Sequence, residues 1–369
     1  MNQNYDYIIV GAGSAGCVLA DKLSKSGEYS VCLLEAGPHD DHWMTKIPLA
    51  VVALMRSKKR NWQFYSEPEP HLNNRRIFNP RGKTLGGSSS INAMLYVRGQ
   101  KADYDHWHAL GNEGWSYEEV LPYFKATQHQ ERGASFYHDV SGPLNVADSR
   151  SKPQINDLFI NAANQLGFPI NNDFNGETQE GIGYYQVTQK NGQRCSAADA
   201  FLTPNLFRQN LSVFTQVVVN RVIIEDKIAR GVEIQQDGKQ IQISANKEVL
   251  ICAGAIQSPQ VLMLSGVGDP SELSKHKIPV KHVLTGVGKN LQDHVDVLTV
   301  NRLNYHQLLA YRPLSLLWSC KQAIKYALNK TGILTSAISE SGGFIKTSHN
   351  ETHPDIQLHF IPAAMDDHG

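Results

Sequence analysis

Two glycine-rich stretches carry the residue types from which a nucleotide site could be built. Gly11-Ala12-Gly13-Ser14-Ala15-Gly16 reads GxGxxG, with Glu35 and Ala36 downstream of it. RGKTLGGSSSIN runs from Arg81 to Asn92: a basic start, paired glycines, three serines and an amide. In the first stretch, Gly11 permits a tight turn, Gly13 lets a pyrophosphate approach the backbone, and Gly16 lets helix and strand pack closely. The N–H groups of a helix opening at Ser14 and Ala15 would face the phosphates with the positive end of its dipole. A carboxylate at Glu35 accepts hydrogen bonds from both ribose hydroxyls and repels a 2′-phosphate. The ligand is then an adenosine dinucleotide lacking that phosphate, and the motif alone leaves NAD and FAD open. In the second stretch, Gly86 and Gly87 let backbone approach something flat or charged. Serine hydroxyls and the Asn92 amide can bond its polar atoms, and Arg81 can neutralise a pyrophosphate. Alone, this stretch reads equally as a Ser/Gly-rich solvent loop.

The surrounding elements decide how such residues would be positioned. Tyr7-Ile8-Ile9-Val10 is a short apolar run suited to a buried parallel strand. A helical pattern follows with Val18, Leu19 and Leu23 on one side, ending near Ser26-Gly27. Val31–Leu34 is a second buried strand that stops at Glu35, which completes a βαβ unit. Residues 40–80 are irregular apart from a short helix over 48–56. Tyr117–Phe124 reads as a helix interrupted at Pro122, GPLNV as a strand, and Ile155–Leu166 as a helix. Leu211–Val249 alternates strand-like runs and turns, as in an antiparallel meander. Lys247–Gly254 returns to a buried strand, and DIQLHFIPA is a further strand near the end.

The chain has 369 residues, enough for two domains with real cores. Lysine plus arginine and aspartate plus glutamate both number 35, a balance that gives no footing for a nucleic-acid surface. The cysteines, Cys17, Cys32, Cys195, Cys252 and Cys320, are scattered and odd in number, with neither CxxC nor zinc spacing. A disulfide framework or structural metal is not expected. The N-terminus lacks a basic n-region, and no apolar run reaches the ~18 residues of a membrane span. These features point to a reducing, cytoplasmic setting, in which the Asn-x-Ser/Thr triplets at Asn210, Asn329 and Asn350 are chance.

Taken with GAGSAG, the stretch GKTLGGSSSIN and the later GAIQSPQVLMLSGVG (Gly254–Gly268) resemble the glucose-methanol-choline (GMC) oxidoreductase family of flavoenzymes. MLYVRGQKADYDHW, GWSYEEVLPYF and GVGKNLQDH resemble its choline-dehydrogenase and alcohol-dehydrogenase branch, so the likeness covers essentially the whole chain. The resemblance implies an α/β fold: a Rossmann-like FAD-binding domain with a second α+β substrate domain built on an antiparallel sheet. It implies an FAD-binding domain at 1–145 and 205–300 and a substrate domain at 146–204 and 301–369. Gly11, Gly13, Ser14, Ala15 and Gly16 would form the pyrophosphate turn, with Glu35 and Ala36 at the ribose and Val219 meeting the adenine through its backbone. Arg81, Thr84, Gly86, Gly87 and Asn92, Ala93, Met94 and Leu95 would serve the rest of the flavin cofactor. Some members attach the flavin through a histidine just before the asparagine. Here Ile91 stands there, with no nucleophile, so non-covalent FAD is implied.

The family oxidises an alcohol by taking its hydroxyl proton and passing a hydride to flavin N5, with the protein supplying position and a base. That base is a histidine in a C-terminal segment, and no residue here matches its context. The chain therefore reads as an N-terminal portion with no catalytic residue of its own. His294 in NLQDH matches a family motif expected to hold the domain junction. His39-Asp40-Asp41-His42 and His106-Trp107-His108 lack a third ligand set and read as polar loop or core residues rather than a metal site. Leu314–Leu328 has apolar residues at helical spacing with lysines opposite. Core packing over a substrate pocket is its leading reading, and peripheral contact with the inner membrane face the alternative. Implied partners are a small-molecule alcohol, choline-like or another primary alcohol, and a quinone or other carrier as electron acceptor. Oligomeric state leaves no signature. Competing with alcohol oxidation are a non-catalytic nucleotide-binding fragment and an NAD-linked Rossmann dehydrogenase.

Overall fold

A computed structural model describes residues 3–303 and 316–363. The chain forms two compact units. The first comprises residues 1–42, 54–91 and 196–297; the second comprises 43–53, 92–195 and 298–369.

The first unit is built on a six-stranded sheet. Its strands are β1 (Asn4–Val10), β2 (Val31–Leu34), β3 (Leu211–Phe214), β4 (Val218–Glu225), β5 (Ile228–Gln236) and β6 (Lys239–Ile251), in spatial order β3-β2-β1-β6-β5-β4. β3, β2, β1 and β6 run parallel, and β5 and β4 continue the sheet antiparallel. Side chains alternate across a strand. Ile8, Val10, Cys32 and Leu34 thus share one buried face with Val222, Val232, Ile234, Ile243 and Val261. Ile9 points to the opposite face, under helix α1 (Ser14–Ser24), where Cys17 and Ala20 are fully buried. Each fully buried aliphatic side chain contributes roughly 2 kcal/mol. Two segments read separately from the sequence, the end of the meander and the strand ending at Gly254, are one long strand. β6 pairs antiparallel with β5 up to Ser244 and parallel with β1 from there to Ile251.

The second unit holds an antiparallel sheet of Ile356–Phe360, Ser341–Ile345 and Gly181–Tyr184. The helix Gln154–Gln165 covers it by packing Ile160 and Ala163 on Ile182. A smaller sheet pairs Gln128–Gln130 with Leu144–Asp148 and the latter with Gln186–Val187. This pairing ties residues 128–130 to strands of the second unit, whereas the sequence division kept everything up to 145 in the first. The helix Tyr117–Thr127 runs through Pro122 instead of breaking there. Ser116 and Glu119 form a capping box at its start, and the carbonyl that Pro122 cannot bond belongs to exposed Glu118. The helix Leu316–Asn329 buries Tyr326 but exposes Trp318, Ile324 and Leu328, so its core packing is confined to one residue among those described. Leu314 and Ser315 lie outside the described residues. No described helix is long and apolar enough to cross a membrane.

Arg208 fastens the last turns of α1 to the segment entering β3. Its guanidinium donates to the Asp21 carbonyl (2.7 Å), the Ser24 hydroxyl (2.8 Å) and Asp21 Oδ1 (3.1 Å). Asp21 is 7% exposed and also meets Lys22 Nζ (3.4 Å) and the Asn205 amide (3.0 Å), so losing Arg208 strips a carboxylate held out of water of its closest cation. Arg208→Ala should cost ~3 kcal/mol in urea unfolding, read as a lower midpoint at unchanged slope. A cost under ~0.5 kcal/mol would show that Asp21 is satisfied without it.

Candidate functional site

In the first unit, β1 ends at Val10 and the chain turns through Gly11 and Gly13 into α1, as the spacing predicts. Gly13 sits at the N-cap in extended conformation; no side chain caps the helix and its first turn carries no acidic residue. The helix start therefore keeps its positive end for an anion. A Cβ on Gly16 would stand 1.9 Å from the Gly11 carbonyl oxygen, so only glycine lets the helix lie this close to the turn. A Cβ on Gly13 would meet nothing nearer than 4.0 Å, which leaves its flank open.

Glu35 follows β2, and both of its carboxylate oxygens are anchored. Oε2 accepts the Ala12 N–H (2.9 Å) and Oε1 the Gly37 N–H (2.8 Å), which fixes the carboxylate against the glycine turn. Each oxygen keeps a lone pair for a further donor such as a ribose hydroxyl. Burial pushes the Glu35 carboxyl up to about 7, against the opposing pull of the Gly37 and Ala12 N–H groups and the Lys83 charge. The Glu35 carbonyl accepts from Val217 N and the Gly37 carbonyl from Gln216 N, so the chain entering β4 passes directly by. Val219 lies two residues further on, paired with Ile234.

The Arg81–Ile91 stretch folds back onto the same turn. Gly86 N donates to the Ala12 carbonyl (2.7 Å), and Gly87, at φ +53°, lies so near Gly13 that a Cβ would stand 2.8 Å from the Gly13 Cα. The paired glycines thus serve first to let one glycine loop touch another. The serines behave likewise: Ser89 Oγ donates to the Gly86 carbonyl, Ser90 Oγ donates to the Leu85 carbonyl, and Ser88 Oγ accepts from Gly82 N. Their hydroxyls shape the loop, each making one bond within it. Thr84 is fully buried and its hydroxyl donates to the Pro38 carbonyl (2.8 Å). The Arg81 guanidinium turns to the Pro80 carbonyl (2.8 Å) and to Asp293 Oδ2 (3.7 Å). His294, next to that partner in sequence, lies in an exposed segment without regular secondary structure. Ile91 is buried, 4% exposed. Gly37 belongs to neither sequence motif, yet a Cβ on it would lie 2.0 Å from the Lys83 carbonyl oxygen. The available signal was a glycine two residues after the acidic end of a strand.

Asn92, Ala93, Met94 and Leu95 belong to the second unit. Asn92 is exposed and Met94 is buried. Met94 adopts φ +62°, uncommon for a residue with a side chain. Its N–H donates to Asn92 Oδ1 (3.1 Å), and its carbonyl accepts from Thr188 N (2.8 Å).

Because the folded Glu35 carboxyl titrates near 7 and an unfolded one near ~4.3, the folded chain holds a proton that the unfolded chain has released between those values. Stability from this group is complete below the unfolded value and falls as pH rises toward 7. In thermal unfolding of the cofactor-free chain, wild type should lose ground to Glu35→Gln from about pH 5 to about pH 7, at no more than ~1.4 kcal/mol per pH unit. A difference constant with pH would mean that Glu35 is already ionised when folded.

Against known proteins, a GMC oxidoreductase family model matches residues 5–296. The alcohol dehydrogenase [acceptor] of Pseudomonas putida is 44% identical over 368 residues, which is 99% of this chain and 67% of that protein. The mitochondrial choline dehydrogenase of Mus musculus is 42% identical over 378 residues, 99% of this chain and 62% of that one. An FAD-dependent oxidoreductase from Chaetomium thermophilum matches with a TM-score of 0.84 and 29% identity, over 93% of this chain and 62% of that one. This chain therefore spans 62 to 67% of the length of these relatives. With its glycine turn, anchored Glu35 and second glycine loop in place, the chain belongs to the GMC oxidoreductase family.

Proposed function

We propose that this chain forms the FAD-holding part of an enzyme that oxidises an alcohol CH–OH, with hydride transfer to the flavin. The observation that carries this is the Glu35 carboxylate, anchored through both oxygens beside an uncapped helix start. That donor and acceptor set fits an adenosine dinucleotide without a 2′-phosphate. Family membership favours FAD over NAD, and the names of its relatives support a CH–OH donor. Bound FAD would supply the hydride acceptor. The chain's own residues do the holding: the start of α1 faces the pyrophosphate, Glu35 receives the ribose hydroxyls, and the Gly13–Gly87 contact fixes the wall between them.

Ile91, a buried hydrocarbon where some relatives carry a tethering histidine, supports non-covalent FAD. A choline-like or other primary alcohol is the proposed substrate, and a quinone or other carrier the electron acceptor. Both rest on the similarity to choline dehydrogenase and to an alcohol dehydrogenase described by its acceptor. The base that takes the hydroxyl proton is assigned to the histidine of the family's C-terminal segment.

Purified chain should carry flavin released by heat or acid without proteolysis. In the protein that includes the C-terminal segment, primary alcohols should bleach its visible band anaerobically. Flavin that no alcohol reduces there would leave a nucleotide-binding role alone. Glu35→Ala should lower flavin content severalfold; unchanged content would remove Glu35 from the site. Gly87→Ala, whose Cβ cannot fit beside Gly13, should do the same, and a normally yellow variant would show that the two loops separate freely.

A further inference from the structure

The helix Leu316–Asn329 is held to the second unit along one side. Tyr326 is buried, and its hydroxyl donates to the Lys46 carbonyl (3.4 Å). Gln322 Oε1 accepts the Ile333 N–H (3.4 Å), and Lys330 Nζ lies 4.7 Å from the centre of the Tyr326 ring. Ala323 and Tyr326 line an apolar cleft of about 390 Å³ together with Trp43, Ile47, Leu49 and Leu334. All of these residues belong to the second unit. At ~3.6 residues per turn, Gln322, Ala323, Tyr326 and Lys330 share one face of the helix.

The opposite face is the one that a surface helix ordinarily fills with polar residues. Here it carries Ile324 and Leu328, four residues apart and 58% and 76% exposed, with Cys320 and Ala327 exposed beside them. These side chains bury little of their apolar area in the second unit, and a clustered apolar surface of this kind marks a contact site. Lys321 and Lys325 border the stripe, and both are exposed. Trp43, which helps to line the cleft, is 65% exposed. The charge of this part of the chain has one sign. Between Asp296 and Glu340 the sequence has neither aspartate nor glutamate, but it holds Arg302, Arg312, Lys321, Lys325 and Lys330. That run stands out in a chain whose basic and acidic residues number 35 each.

We infer that the outward face of the helix Leu316–Asn329 is a docking surface for an anionic lipid bilayer. Ile324 and Leu328 enter the boundary between headgroups and acyl chains, and Lys321 and Lys325 stretch along it to the headgroup phosphates. A nucleic acid would answer the lysines and leave Ile324 and Leu328 in water. A second copy of the same face would bring lysine against lysine. The boundary of an anionic bilayer meets both demands at once. Docking does not depend on the FAD reading. Where that reading holds, the docked chain lies against the phase in which a lipid-soluble electron carrier dissolves.

The test is flotation of the chain with vesicles of phosphatidylcholine alone, or of phosphatidylcholine and phosphatidylglycerol in equal parts. Wild type is compared with Ile324→Ser/Leu328→Ser and with Lys321→Gln/Lys325→Gln, each checked for folding by far-UV circular dichroism. Wild type should float with the mixed vesicles and not with phosphatidylcholine, and salt should release it. The serine variant should bind the mixed vesicles at least tenfold more weakly. The glutamine variant should lose at least tenfold at low salt, since each lysine near an anionic surface contributes about fivefold. If the serine pair does not fold, Leu328→Ser alone carries the test. Wild type that stays in solution overturns the inference, as does equal binding to both kinds of vesicle. Variants that float like wild type place any binding elsewhere and also overturn it. The same flotation is run on the protein that includes the family's C-terminal segment. Loss of binding there would show that this segment covers the face, which overturns the lipid assignment. A wild-type dimer that the serine pair turns into a monomer in light scattering would give the face to a second copy instead.

Discussion

One backbone-on-backbone contact organises the first unit: Gly87 resting against Gly13. Neither residue has a side chain to spare, and a single methyl group at position 87 would stand 2.8 Å from the Gly13 Cα. Around it the polar groups fall into place. Ala12 gives its N–H to Glu35 and its carbonyl to Gly86, so one residue of the first glycine turn joins both the carboxylate and the second loop. The proposed dinucleotide cradle is thus two loops and a strand end joined by three hydrogen bonds, counting the Gly37 N–H. The positive end of α1 remains open within it. Loops bonded to one another in this way would spare part of the ordering cost that a free glycine loop incurs on binding.

The electrostatic consequence is a carboxylate kept in a dry place with its hydrogen bonds already half made. Burial favours the protonated form of Glu35, and the two N–H groups favour the ionised one. A ligand that brings hydroxyl donors adds to the second effect. In the proposed function the same residue links the fold to its cofactor: the bonds that hold β2 against the turn would also orient the acceptor offered to a ribose.

Much of this was legible in the sequence for a definite reason. The βαβ unit rests on local signals, an apolar run, a glycine turn and an amphipathic helix, so β1, α1 and β2 lie where periodicity puts them. GxGxxG and Glu35 were readable because a turn and a strand end fix their spacing. The role of GGSSS was not. Its serines bond their own loop and its glycines touch another loop, and contacts between distant segments leave no period. β6 was divided in two because its pairing changes from antiparallel to parallel part-way, which alters the burial pattern without breaking the strand. Pro122 suggested a break because sequence cannot show that the carbonyl it orphans faces water.

The second unit shows how a strained turn is kept in place without a motif. Met94 is bonded from three sides, by Asn92, Thr188 and Gln189. The expense of a left-handed residue is met by hydrogen bonds that a relaxed backbone would not align.

Fluorescence titration of cofactor-free chain with FAD, run beside one with NAD, tests the proposed cradle directly. A cradle for FAD should give a saturable one-to-one complex with FAD that ADP-ribose competes away, and no comparable binding of NAD. Tight NAD binding with FAD left free in solution would contradict it.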